Sequence, residues 1–324
     1  MVAPFQRPHL GRSVWQLVNT LVPLVVLYYL MYKSLSISYW LTLGLSVLAA
    51  GFMVRSFIIF HDCGHYSFFK SRQANNIWGY LTGVLIWTPS YHWSHEHAEH
   101  HACAGDLDHR GVGDIWTMTV KEYCESPRWK KILYRIIRHP LFLFVLAPFF
   151  IFTILHRIPS VKGGKRALLS THSTNLGILV TVVTMSYLIG LKSYMLIQIP
   201  ITAIASSVGI WMFYVQHQFE GVYWERNPKW DYVTEALQGS SFYKLPKVLQ
   251  WFTGNIGFHH IHHLSPRIPN YYLEPCYNAN PLFQQIKPIT LFSSFKSLRF
   301  RLWDEEKRQL VGFDYLKKIR PVAA

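Results

Sequence analysis

Near the C-terminal end the chain reads Gly257-Phe258-His259-His260-Ile261-His262-His263-Leu264. Four histidines thus occupy five consecutive positions. Two more histidine-rich stretches lie upstream, at residues 61–65 and 92–101. These three stretches hold most of the 17 histidines of the chain. We therefore expect a fold that brings them together.

The composition indicates a membrane protein. Hydrophobic residues make up 50% of the 324 residues and charged residues only 15%, with a mean hydropathy of +0.12. The net charge of +15 fits the basic loops on the cytoplasmic side of a membrane protein, and no nucleic-acid-binding module accompanies it. The four cysteines are widely spaced without a Cys-x-x-Cys pair, which favours reduced thiols.

Four apolar segments are long enough to cross a bilayer. They are residues 14–32, 39–60, 175–191 and 194–215. Arg55 interrupts the second segment near its end, where we expect its side chain to reach the interface. The last two segments are separated by only two residues and must form an antiparallel hairpin.

The rest of the chain is expected to form a helical cap. Two shorter apolar segments, 77–89 and 141–155, are interpreted as peripheral. The cap then comprises residues 61–174 and 216–324. The prediction is one all-α membrane domain over residues 1–324.

The positive charges predict the orientation. With four spans, the two short turns carry only Lys33 and Lys192, and the other 30 of the 32 lysines and arginines fall on the opposite side or at its boundary. The positive-inside rule makes that side cytoplasmic. All three histidine stretches would then lie at the cytoplasmic face.

The histidine spacings are those of metal ligands on helices. His61 and His65 are four positions apart, and each of the other two stretches contains an i, i+3, i+4 set. Such spacings align side chains on one helix face. The eight candidate ligands are His61, His65, His97, His100, His101, His259, His262 and His263. One ion needs about four ligands, so eight indicate two ions.

His217 is a ninth candidate, because it follows the last span at the level of the other eight. Three neighbours, His260, His92 and His95, lie off the ligand spacing and are left out. The remaining histidines are isolated and are expected at the surface: His9, His109, His139, His156 and His172.

Acidic residues near the ligands can orient them, since metal-bound histidines usually donate their second N–H to a carboxylate or carbonyl. Asp62 and Asp106 are the main candidates, and Asn255 could carry a bound water. Further acidic residues in the same stretches are Glu96, Glu99, Asp108 and Asp114.

Two metal ions held by neutral nitrogens beside hydrocarbon suit oxygen chemistry on a lipid. Iron can activate dioxygen to break an unactivated C–H bond, which no side chain does alone. The His-Glu-x-x-His signature of zinc proteases is absent, as are the phosphate-binding glycine loops.

The three stretches and their flanks resemble the membrane fatty acid desaturases, in particular bacterial acyl-lipid desaturases. The similarity covers roughly residues 35–290. It includes His61-Asp62-Cys63-Gly64-His65, Gly105-Asp106-Leu107-Asp108 with Gly113-Asp114-Ile115-Trp116, and residues 254–271 around the third stretch.

The resemblance implies four membrane helices, a cytoplasmic cap with two iron ions, and insertion of a cis double bond into a lipid-linked fatty acyl chain. It assigns the eight histidines as iron ligands, and His217 matches the family's additional histidine. The reaction would use O2 and electrons from a separate protein, usually ferredoxin. His139-Pro140 is not followed by the Gly-Gly of a fused cytochrome b5 domain. The expected location is a bacterial plasma membrane or a thylakoid-type membrane.

Two other functions stay open at this point. A lipid hydroxylase or alkane monooxygenase would use the same metals but transfer oxygen to the substrate. A membrane metal transporter or sensor would place ligands within its spans, and the predicted spans contain almost none.

Overall fold

The computed structural model describes residues 2–111, 113–160 and 163–319. The predicted domain also included Met1, Val112, residues 161–162 and residues 320–324, which lie outside the described chain. The first nine helices are α1 Leu10–Ser34, α2 Tyr39–Gly64, α3 Arg72–Leu85, α4 Ser90–Cys103, α5 Val120–Glu125, α6 Arg128–Ile137, α7 Ala147–Thr153, α8 Gly164–Ile189 and α9 Leu191–His217. The later helices are α10 Tyr232–Thr234, α11 Lys247–Phe252, α12 His259–Leu264, α13 Asn270–Asn278, α14 Pro281–Gln284, α15 Leu291–Ser294 and α16 Leu316–Ile319.

The chain is mostly helical, as predicted, with two small sheets that the sequence did not indicate. The strands are β1 Met118–Thr119, β2 Tyr243–Lys244, β3 Ile289–Thr290, β4 Leu302–Asp304 and β5 Gln309–Val311. β4 pairs in parallel with β1 and antiparallel with β5, while β2 and β3 form a parallel pair. These short strands attach the C-terminal segment to the cap.

Four helices of the described chain, α1, α2, α8 and α9, are long and apolar enough to cross a membrane. This agrees with the predicted number of spans. A fifth results only if α6 and the helical segment Phe142–Arg157, which meet at 57°, are counted as one broken span. The peripheral placement of residues 141–155 therefore stays a prediction. The same holds for residues 77–89, of which 77–85 lie in α3.

The third long helix begins well before its predicted apolar segment. α8 begins at Gly164, whereas the predicted apolar segment begins at residue 175. The first turns of the helix carry Lys165, Arg166 and other polar side chains, so a hydropathy search does not include them. The predicted hairpin is present and even tighter. Gly190 alone separates α8 from α9, in a left-handed conformation with φ of 84° that glycine adopts readily.

Arg55 points into the protein, where its side chain is buried between α1, α2 and α11, and its reach to the membrane interface stays a prediction. Only 6% of the residue is exposed. Its Nε donates to Thr20 Oγ1 at 3.1 Å, and its Nη1 donates to the Trp251 carbonyl. The guanidinium also lies 3.9 Å from the centre of the Trp251 ring. These contacts join α1, α2 and α11.

The buried Arg138, which follows α6, attaches the cap to the end of α9. Its Nη2 donates to Gln218 Oε1 at 2.6 Å, to Tyr214 Oη at 3.2 Å and to the Phe300 carbonyl at 3.1 Å. The histidine-bearing end of α9 is therefore held from the cap side.

Candidate metal centre

The three histidine stretches meet at one end of the helical bundle. His61 lies in the last turn of α2, and His65 is the residue that caps it. The second stretch forms α4 and the third forms α12, both helical as their spacing predicts. His217 is the last residue of α9. The structure thus brings all nine candidate ligands together from four helical segments.

Five of these histidines form a first group. The ligand nitrogens of His61, His65, His97, His101 and His262 all lie within 4.8 Å of one another. The Nε2 atom of His101 is 3.1 Å from Nε2 of His97 and 3.0 Å from Nε2 of His262.

The other four form a second group. His100, His217 and His263 have ligand nitrogens within 4.8 Å of one another. The Nε2 atom of His217 is 3.2 Å from that of His100 and 3.0 Å from that of His259. The two groups are adjacent, since the rings of His101 and His263 are 4.3 Å apart.

These distances fit metal coordination. Imidazole nitrogens bind divalent metals such as zinc at about 2.1 Å, so two nitrogens at right angles on one ion lie about 3.0 Å apart. The closest Nε2 pairs in both groups have this separation. Nine histidines in two adjacent groups can therefore hold two ions.

Carboxylates contact the outer nitrogens of three histidines. Nδ1 of His100 is 2.8 Å from Asp114 Oδ1, and Nδ1 of His263 is 3.3 Å from Glu235 Oε2. Nδ1 of His61 is 3.1 Å from Asp62 Oδ1. Such contacts fix the tautomer and direct Nε2 towards a metal.

Asp62 is itself held in place. Its second oxygen accepts hydrogen bonds from the backbone N and side-chain Nδ2 of Asn270, at 2.7 and 2.8 Å. The carboxylate therefore links α13 to the first histidine group.

Sequence reasoning missed Glu235. This glutamate is fully buried in a π-helical turn, Glu235–Gly239, which directly follows α10. Burial raises the pKa of Glu235 to about 8. A cation bound to His263 would favour the ionised carboxylate. A single glutamate 24 positions before His259 carries no spacing signal, so only the fold reveals it.

The other proposed partners lie elsewhere. Asp106 Oδ2 is 2.6 Å from His109 Nδ1 and accepts from Asn227 Nδ2 at 2.7 Å. In the described chain no hydrogen bond joins Asp106 to the nine histidines. The Asn255 side chain faces the backbone carbonyl of Asn270, at 3.4 Å. Glu96 and Glu99 face His92 and His95, and Asp108 pairs with Arg226.

The histidines that the spacing left out also lie off the two groups. His260 is fully buried against Phe242, Tyr277 and Phe283. His92 and His95 lie 3.6 Å from glutamates on their own helix. Of the five isolated histidines, only His156 departs from the expected surface position, because Phe152 and Thr88 half-bury it.

Six of the clustered imidazoles are neutral at physiological pH. Burial, reinforced by neighbouring histidines, lowers the pKa of six of them well below the usual value: His65, His97, His101, His259, His262 and His263. A neutral imidazole has a free lone pair, which is the form that binds a metal.

Aromatic side chains border the two groups. Trp93 stacks on His97 with ring centres 4.4 Å apart, and it also contacts Phe57 and Phe60 of α2. Phe213 lies 5.1 Å from the rings of both His100 and His217. These apolar walls lower the local dielectric around the histidines.

A cleft of about 680 Å³ borders the second group, because His217 lines it together with Asp114. Its walls also include Ile115, Trp116 and Phe213. The volume falls within the usual range of small-molecule sites.

The fold and the site together define a class: a helical protein with four candidate membrane spans and a buried histidine cluster suited to metal. Sequence comparisons agree. The profile of the fatty acid desaturase family matches residues 38–288. The chain belongs to the fatty acid desaturase family, and membership of this family implies that it is an oxidoreductase.

Three relatives illustrate the range of similarity. A fatty acid desaturase of Bacillus subtilis (strain 168) is 48% identical over 318 residues, covering 98% of this chain and 90% of the relative. An sn-1 acyl-lipid omega-3 desaturase (ferredoxin) of Synechocystis is 26% identical over 72% of this chain and 64% of the relative. An sn-1 oleoyl-lipid 12-desaturase of Picosynechococcus is 25% identical over 76% of this chain and 71% of the relative.

Proposed function

We propose that this protein is a di-iron acyl-lipid desaturase that inserts a cis double bond into a fatty acyl chain of a membrane lipid. The observation that carries the proposal is the pair of adjacent histidine groups, which together contain all nine candidate metal ligands. Per turnover, one CH2–CH2 unit, one O2, two electrons and two protons give one CH=CH unit and two waters.

The nine histidines would hold two iron ions, five in the first group and four in the second. When bound, iron supplies the activation of O2 that breaking an unactivated C–H bond requires. The protein's own part is positional. Three carboxylates each accept the Nδ1–H of one histidine, so the lone pair on Nε2 of that histidine is free to bind the metal. They are Asp62, Asp114 and Glu235.

The cleft lined by His217 and Asp114 is the proposed entrance for the acyl chain. Ile115, Trp116 and Phe213 in its walls can contact hydrocarbon. Phe213 and Trp93 would exclude water from the reacting carbons, which limits side reactions.

The electrons would come from a separate protein, with ferredoxin as the proposed donor. Two relatives are named as ferredoxin-dependent acyl-lipid desaturases. The chain's net charge of +15 would also attract an acidic donor over a distance. With the histidine groups at the basic end of the bundle, the proposed location is the cytoplasmic side of a bacterial plasma membrane.

Expression in a host with saturated and monounsaturated lipids, together with ferredoxin and its reductase, tests the proposal. We expect new fatty acids lighter by two hydrogens. A gain of one oxygen would instead identify a hydroxylase. His262→Ala should abolish the product and lower bound iron, whereas His95→Ala, at a partly exposed histidine outside both groups, should retain both. Unchanged lipids despite iron loading and a competent donor would contradict the proposal.

A further inference from the structure

Arg55 is a buried charge without a counter-ion. It lies inside candidate span α2 and is 6% exposed, yet no acidic side chain of the described chain pairs with it. Its recorded partners, the Trp251 ring and carbonyl and Thr20, are all neutral. A charge within a membrane helix is expensive and usually marks a functional site with a definite partner.

Arg55 lines a cleft of about 350 Å³ that is separate from the one lined by His217. Arg12 and Lys247 line the same cleft, and Glu274, the ion-pair partner of Lys247, is its one acidic residue among those described. Arg12 stacks on the Tyr272 ring at 4.8 Å and pairs with no acid among the residues that the structure describes. Three cations thus face one carboxylate, so the cleft has an excess of positive charge.

The neutral side chains of this cleft also supply donors. The Nε2 atom of Gln250 is inaccessible to solvent and has no hydrogen-bond acceptor among the described residues. An unsatisfied donor in the wall of a cleft is unfavourable, so its presence points to an acceptor that binds there. Donors and cations without matching acceptors recognise an anion.

The position of the cleft favours a lipid phosphate. Arg12 and Trp15 lie in the first two turns of α1, at the same end of the bundle as the histidine groups. Along α1, Trp15, Val18 and Val22 are 66%, 45% and 56% exposed and form an apolar surface leading away from the cleft. An acyl chain could lie on that surface while its phosphate sits among the cations. Arginine is suited to this contact because its planar fork matches phosphate oxygens.

We propose that the cleft formed by Arg12, Arg55, Lys247 and Gln250 binds the phosphate of a membrane phospholipid, with Arg55 as the buried anchor. The site lies apart from both histidine groups and does not depend on the proposed reaction. Its link to them is structural: Asn270 lines the cleft and holds Asp62, which contacts His61.

The test measures thermal unfolding of the purified full chain in phosphate-free detergent. Three probes are compared: dihexanoylphosphatidylglycerol, dihexanoylglycerol without phosphate, and inorganic phosphate. We expect the phospholipid alone to raise the unfolding midpoint in a saturable manner. Arg55→Gln, Arg12→Gln and Gln250→Glu should each weaken the apparent affinity by about tenfold or more, as loss of a charge-assisted hydrogen bond implies.

Lys33→Gln is the matched control, because it removes a cation from the opposite end of α1 and should leave the affinity unchanged. If Arg55→Gln does not fold, Gln250→Glu decides the question, since it keeps the side-chain size and adds a repelling charge. Equal stabilisation by dihexanoylglycerol would show apolar binding only and overturn the site. Equal stabilisation by inorganic phosphate would overturn the lipid assignment.

Discussion

The carboxylate of Glu235 lies 3.3 Å from Nδ1 of His263, and neither side chain is exposed to solvent. The π-helical turn that carries Glu235 packs directly against the α12 histidine helix. Because the contact is to the outer ring nitrogen, Nε2 of His263 remains directed at the second histidine group.

Glu235→Gln should weaken iron binding about tenfold or more, because loss of such a partner typically costs 10- to 100-fold in metal affinity. Competition with a graded series of chelators, followed by elemental analysis of the protein, measures the change. Glu96→Gln is the control, since Glu96 faces His92, which lies outside both groups. Equal affinities for the two variants would show that Glu235 does not support a ligand.

His217→Ala should remove roughly half of the bound iron, because His217 has the closest nitrogen contacts to two members of the second group and none to the first. Iron per protein, measured by elemental analysis, checks this.

His260→Ala is the matched comparison for His217→Ala. It also truncates a buried histidine, so it should lower stability by about 2–4 kcal/mol yet retain both ions. Loss of iron in His260→Ala would refute the division between ligands and bystander.

Gly257→Ala should prevent the α12 histidines from reaching their positions. An added Cβ would lie far inside contact distance of the Tyr243 carbonyl oxygen, and the backbone N of Tyr243 donates to the Gly257 carbonyl at 2.7 Å. We expect lower iron content and a lower thermal unfolding midpoint. Gly44→Ala, where a Cβ meets nothing within 4 Å, should change neither. Wild-type iron content in Gly257→Ala would contradict this role.

Cys276 should resist alkylation at neutral pH although it is a free thiol. Burial raises the pKa of Cys276 to about 11, and only 1% of the residue is exposed. The thiolate is the reactive form, so its population at pH 8 is on the order of 0.1%. Cys124 is exposed and should react first. Peptide mass spectrometry after N-ethylmaleimide treatment, at pH 7 and pH 9, measures the extent of alkylation at both cysteines. Reaction of Cys276 before Cys124 would disprove the expectation.

The features predictable from sequence are those with a repeating spacing. The i, i+3, i+4 sets predicted two histidine helices, and α4 and α12 are those helices. Hydropathy predicted four long apolar helices, and the described part of the chain contains four. The family assignment from the three histidine stretches is likewise confirmed. Each of these signals depends on many residues at once.

Features that depend on one residue or on distant pairing were not predictable. Glu235 meets His263 through a turn whose position the spacing does not encode. The polar start of α8 is invisible to hydropathy because Lys165 and Arg166 belong to the helix but not to its apolar part. The two-residue pairing of β1 with β4 joins segments about 180 positions apart, and so short a strand leaves no periodic pattern.

The two histidine groups draw their members from positions 61 to 263. During synthesis, the first of these side chains leaves the ribosome some two hundred residues before the last. A nascent chain therefore has neither group complete until α12 has emerged and packed against α2, α4 and α9. If the proposed metal centre is correct, its loading is a late step in the life of the chain, and any chain truncated before residue 259 lacks a complete site.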